Sequence, residues 1–136
     1  LGTTEEIASY IWPNDDIADA GQAFELDSPP ARVAIEIIPL NDYEWLPVTD
    51  QVYIPLTVEG VSQNSRGKIL GEVVNSNDYD FDAVQMVVVF KDENGKLLGG
   101  NFSSVENLPA KGKIAFEISP ASIDASSFDV YAIPSR

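Results

Sequence analysis

Past residue 31 the chain alternates apolar and polar positions with a period of two, repeatedly. Residues 32–38, 51–58, 68–74, 84–90, 96–102, 112–118 and 128–133 are dense in Val, Ile, Phe and Tyr and bounded by Gly, Pro, Asn, Asp and Ser. That composition suits a pleated, half-buried surface. Seven such segments with turn-rich connections predict an all-β fold of about seven strands, an antiparallel β-sandwich or a barrel. Proline cannot donate to a ladder, so Pro47 and Pro55 place their neighbourhoods at sheet edges or bulges.

The first thirty residues read differently, as an N-terminal helix and loop extension of a single domain covering residues 1–136. Thr4-Glu-Glu-Ile-Ala-Ser-Tyr-Ile-Trp12 has a capping residue, acids in its first turn and Ile7, Tyr10 and Ile11 on one face before Pro13. One short helix fits, and so does an edge strand with the same aromatics. Acids and turn formers over residues 14–21 read as loop, and Pro29-Pro30 forbids regular pairing just before the first clear strand.

The segment from Ala83 to Leu98 fixes a hairpin. A two-residue Asn94-Gly95 turn would set Lys91 against Leu98 and mix polar with apolar on one face. A three-residue loop, Glu93-Asn-Gly95 with Gly95 left-handed, sets Asp92 opposite Lys96 and Phe90 opposite Leu98. The second register is the expected one, and it sends Met86, Val88, Phe90, Leu98 and Phe102 to the core. An echo is also visible. Arg32-Val-Ala-Ile-Glu-Ile-Ile-Pro39 matches the pattern of Lys113-Ile-Ala-Phe-Glu-Ile-Ser-Pro120. Either the first half retains part of a diverged repeat, or two strands of one sandwich share an alphabet.

Composition narrows the chemistry. The 136 residues include no His and no Cys, so disulfides, thiolate or imidazole metal ligands and the usual nucleophile and base pairs are missing. At this length a chain buries roughly two thirds of its unfolded surface and holds a core without staples. The net charge of −14 divides into −11 over residues 1–60, where Arg32 is the sole cation, and −3 over residues 61–136. Such a surface repels phosphate backbones and anionic lipid, which argues against nucleic acid as a partner. No apolar stretch reaches the roughly 20 residues that span a bilayer, and no transmembrane segment is expected. The opening Leu1-Gly-Thr-Thr reads as the start of a trimmed mature fragment.

The stretch Gly71-Glu-Val-Val-Asn75, the acidic loop after it, Val89-Phe-Lys-Asp92, the turn Asn94-Gly-Lys96 and Leu108-Pro-Ala-Lys-Gly112 leading into Phe116 carry a resemblance. Residues 67–133 resemble the FxLYD-type module of bacterial and archaeal surface proteins and its immunoglobulin-like relatives. The namesake tract falls on residues 88–92, where Phe90-Lys91 stand in place of Leu-Tyr and Asp92 matches. The resemblance implies an immunoglobulin-like sandwich, extracellular or anchored at the cell surface, secreted or carried as a lipoprotein, with no catalytic role.

Two constellations are candidates for chemistry. Asp78, Asp80 and Asp82 alternate through Asn75-Ser-Asn-Asp-Tyr-Asp-Phe-Asp82, with Asn75 and Asn77 adding amide oxygens, the hard ligands calcium takes. The loop lacks the glycine and distal Glu of an EF-hand, and a solvated connection is the plainer reading. Asn14-Asp-Asp16 with Asp19 is a second acidic cluster. Trp12, Tyr43 and Trp45 offer aromatic surfaces for a glycan or protein partner, or they cap the core. Ser103-Ser104 and Ser126-Ser127 have neither His nor an SxxK arrangement to activate them. The tripeptide Asn101-Phe-Ser103 fits a glycosylation sequon, a pattern that arises often by chance. The sequence therefore leads to a non-catalytic surface module for adhesion, ligand binding or spacing, with no bound cofactor. The alternatives are a calcium- or carbohydrate-binding accessory module and, further off, a hydrolase built on carboxylates alone.

Overall fold

A computed structural model of the chain describes residues 54–120 and 123–135. The expected helix or edge strand at 4–12, the loop that follows it and the strand at 32–38 lie outside the described residues, as do Trp12, Tyr43, Trp45 and the second acidic cluster. The described part is all β. Six strands, β1 (Thr57–Gln63), β2 (Ile69–Val74), β3 (Phe81–Lys91), β4 (Leu97–Leu108), β5 (Lys113–Ile118) and β6 (Ser127–Ser135), form two antiparallel sheets ordered β1-β2-β5 and β4-β3-β6.

That order is immunoglobulin-like, with β1, β2 and β5 in the places of strands A, B and E and β3 and β6 in those of C and F. The sheets share one core. Ile69 and Val73 of β2 and Phe116 and Ile118 of β5 pack with Val84, Met86, Val88 and Phe90 of β3 and Val105 and Leu108 of β4. Full burial of each such side chain contributes about 1.5 to 3 kcal/mol. Val105 and Leu108 are both buried although three residues apart, and so are Phe81 and Val84. Asn107, left-handed with φ of 56°, marks where the alternation changes parity, and Asn tolerates that conformation better than most residues.

The hairpin loop closes as the sequence predicts. Asp92 N–H donates to Lys96 O (2.9 Å), Gly95 N–H donates to Asp92 O (3.0 Å), and Gly95 has φ of 77°. The Asp92 carboxylate also accepts from the N–H groups of Asn94 and Lys96. One turn further on, the expected register fails. Lys91 faces Leu97, but Phe90 faces Gly99, so Leu98 is an extra residue in β4. A single-residue slip turns every later side chain over. Phe102, expected in the core beside Met86, instead stands opposite Val87 on the outer face, half exposed. Gly99 is what the bulge requires, because a Cβ there would lie 2.8 Å from Ile123 Cδ1.

Pro55 precedes β1 rather than lying in it, and β1 runs on to Gln63 with a register break at Gly60. The sandwich is well closed along β4 and β5. Along β1 and β6 it is looser, since Leu56, Val58, Phe128, Val130 and Ala132 pack on the core only half-buried.

Candidate functional site

The acidic loop between β2 and β3 is organised by its amides. Asn75 is 1% exposed and Asn77 3%. Asn75 Nδ2 donates to Tyr79 O (2.8 Å) and Pro109 O (3.0 Å), while its Oδ1 accepts from Asn77 N (2.9 Å) and Asn77 Nδ2 (3.0 Å). Asn77 then pairs with the backbone of Ile54, donating to its carbonyl and accepting from its N–H. These buried amides bind the loop to the β4–β5 turn and to the segment before β1. Their oxygens are thereby used for structure.

The three aspartates take separate paths. Asp78, with its side chain 88% exposed, pairs with Lys111 Nζ at 3.0 Å. Asp80 Oδ1 accepts from Ala110 N–H at 2.7 Å, and Asp82 is exposed on β3. Among the described residues no group of three or more His, Cys, Asp or Glu is placed to hold a metal ion. A shallow recess of about 210 Å³ lies where β1 ends, lined by Gln63, Phe90, Ile123, Asp124, Ala125 and Phe128. Small-molecule sites typically run to 300–1,000 Å³. The recess contains one carboxyl group, Asp124, where a glycosidase needs two.

The two outer faces differ in kind. On β1-β2-β5 the charges are paired across strands, Lys68 with Glu117 and Lys113 with Glu72. The Glu72 carboxylate accepts a hydrogen bond from Lys113 and raises its pKa above the ordinary 10.5. On β4-β3-β6 the centre is apolar. Val87 is fully buried yet faces away from the shared core, with Phe102 opposite it on β4 and Tyr131 opposite it on β6. Ile133 lies opposite Gln85, Val89 lies between Gly100 and Asp129, and Leu97, 62% exposed, stands at the hairpin end. Lys91 pairs with Asp129 at the rim, and that carboxylate raises the lysine's pKa above 10.5.

Sequence reasoning missed this face. The signal was present in Met86-Val-Val-Val-Phe90, an unbroken apolar run that indicates burial on both sides rather than one. The sequon residue Asn101 belongs to the opposite, core-side register of β4, and its Nδ2 donates to Ser119 O at 3.1 Å.

No family model matches the chain, and no curated protein does. Among solved structures, a member of the DUF1425 family from Shewanella sp. pv-4 is similar at 20% identity, covering 65% of this chain and 87% of that one, with a TM-score of 0.45.

Proposed function

We propose that the chain is a non-catalytic module that adheres or binds through the outer face of β4-β3-β6, in a cell-surface setting. One observation supports this above others. Phe102 (50% exposed) and Leu97 stand out on a face whose centre, Val87, is already dry, while the opposite outer face is covered by paired charges. An apolar centre with a charged rim is the usual anatomy of a protein-binding surface, and aromatic anchors carry most of its energy. The resemblance of residues 67–133 to FxLYD-type modules supports the surface setting.

The test immobilises the full chain and measures its binding to a panel of extracellular matrix proteins and glycans. Phe102→Lys is expected to weaken the strongest interaction about tenfold or more, the loss of one anchor. Lys113→Ala, on the other outer face, should leave it unchanged. Equal binding by both variants, or turnover of any panel member, contradicts the reading.

A further inference from the structure

Six asparagines lie among the described residues, and five of them are held or hindered. Asn75 and Asn77 are buried, with their amides bonded to each other and to the backbone. Asn64 Oδ1 accepts from the N–H groups of Arg66 and Lys68, and Asn101 bonds Ser119 O through Nδ2 and Phe102 N–H through Oδ1. Asn107 is exposed, but the residue after it is the fully buried, branched Leu108.

Asn94 differs from all of these. It is exposed in the β3–β4 hairpin loop, and among the described residues no hydrogen bond holds its side-chain amide. Its successor is Gly95, left-handed with φ of 77°, and open space lies on the side where a Cβ would stand.

We propose that Asn94-Gly95 is a site of spontaneous backbone modification, at which the asparagine cyclises onto the glycine nitrogen and emerges as aspartate or isoaspartate. The Gly95 nitrogen gives up its proton and bonds to Asn94 Cγ, while the Cγ–Nδ2 bond breaks and Nδ2 leaves as ammonia. The cyclic imide so formed then takes up one water. Cleavage of the new Cγ–N bond leaves aspartate, and cleavage of the original backbone C–N bond leaves isoaspartate, with the main chain running through Cγ. Ring closure between neighbouring residues has the high effective concentration of an intramolecular reaction, and a glycine without Cβ lets the two atoms approach.

The loop itself sets the pace. When it is closed, Gly95 N–H donates to Asp92 O at 3.0 Å, and the Asp92 carboxylate accepts from the N–H groups of Asn94 and Lys96. The attacking nitrogen is then occupied, so reaction requires the hairpin tip to open, a local event that costs far less than unfolding. Asp92 is therefore a brake on the modification. The product in turn undoes the closure. Isoaspartate lengthens the main chain by one carbon between Asp92 and Lys96 and adds a carboxylate beside Asp92 and Glu93, at the point where Leu97 and the bulge at Leu98 begin β4.

Trypsin cuts after Lys91 and Lys96 and so isolates Asp92-Glu-Asn-Gly-Lys96 as one peptide. The full chain would be warmed in mildly alkaline buffer, sampled over days and mapped by mass spectrometry, beside a portion kept unfolded in urea. A gain of about one mass unit is expected in that peptide at least about tenfold faster than in those carrying Asn64, Asn75, Asn77, Asn101 or Asn107, with isoaspartate detected by enzymatic methylation. Asp92→Ala should speed the gain about fivefold or more in the folded chain and leave the rate in urea unchanged. Asn94→Gln should remove it from this peptide. Faster conversion at another of these asparagines, or a product free of isoaspartate, overturns the site. So does a folded chain whose peptide is unaltered when its unfolded counterpart has converted fully. An Asp92→Ala rate no higher than that of the unaltered chain overturns the brake.

Discussion

Replacing Asn75 by Ala tests how the loop between β2 and β3 is held. The side chain makes four hydrogen bonds, donating to Tyr79 O and Pro109 O and accepting two from Asn77, at a site 1% exposed. At about 1 kcal/mol net for each bond, with partners left short of water, the loss is about 3 to 5 kcal/mol. With an m-value of about 1.5 kcal/mol per molar urea for a domain of this size, the unfolding midpoint should fall by about 2 to 3 M. Asp78→Ala, three residues away, removes only an exposed ion pair and should leave the midpoint unchanged within error. Urea titration followed by intrinsic fluorescence and far-UV circular dichroism reads both. A loss below about 1 kcal/mol for Asn75→Ala, or equal losses for the two variants, would falsify the assignment of the loop to its buried amides.

Other expectations follow from single contacts. Gly71→Ala sets a Cβ 2.7 Å from Phe116 Cζ and 3.1 Å from Glu59 O, and the strain should cost about 1 to 3 kcal/mol in the same titration. Ser103→Ala removes a buried hydroxyl with no hydrogen-bond partner and should be neutral or stabilising by up to about 1 kcal/mol; a clear loss would reveal a bond that the structure does not contain. Lys91 and Lys113 have raised pKa values through Asp129 and Glu72. Their contribution is fully present below the ordinary 10.5 and fades as pH rises through the higher folded value. With no His or Cys in the chain, stability should be flat from pH 6 to 9 and fall above 10.5, less steeply in Lys91→Met. Because Asp78 and Asp80 already have partners, millimolar calcium should not move the melting temperature; a rise of several degrees that Asp80→Asn abolishes would establish a site there.

How much of this was written in the sequence differs from strand to strand. β2, β5 and β6 announce themselves because their alternation is regular and their ends carry turn residues, so the periodic segments at 68–74, 112–118 and 128–133 fall within a residue or two of the observed strands. The three-residue hairpin loop was legible for a similar reason, since Asp92 and Gly95 have local tasks that depend on neighbours a few positions away. The bulge at Leu98 was not. Beside it Gly99 has φ of 156°, and a Cβ there would meet Ile123, a side chain 24 positions on, an approach that no local pattern shows. That one inserted residue moved Phe102 from the expected core to the outer face and created the exposed aromatic on which the functional reading rests. In the acidic loop the aspartates are the conspicuous residues, while the two asparagines that precede them do the structural work. An amide that bonds to backbone 34 residues away, as Asn75 does with Pro109, leaves no periodic trace.

If the outer face of β4-β3-β6 is the contact surface, amide and methyl shifts will map a partner onto it. The full chain, isotopically labelled, would be titrated with the strongest binder from the panel of matrix proteins and glycans. Shifts centred on Gln85, Val87, Phe102 and Tyr131 are expected, with Lys113 and Glu72 silent. Shifts confined to the β2–β3 loop, to the recess around Asp124 or to the paired charges of β1-β2-β5 would contradict it, as would a panel with no binder.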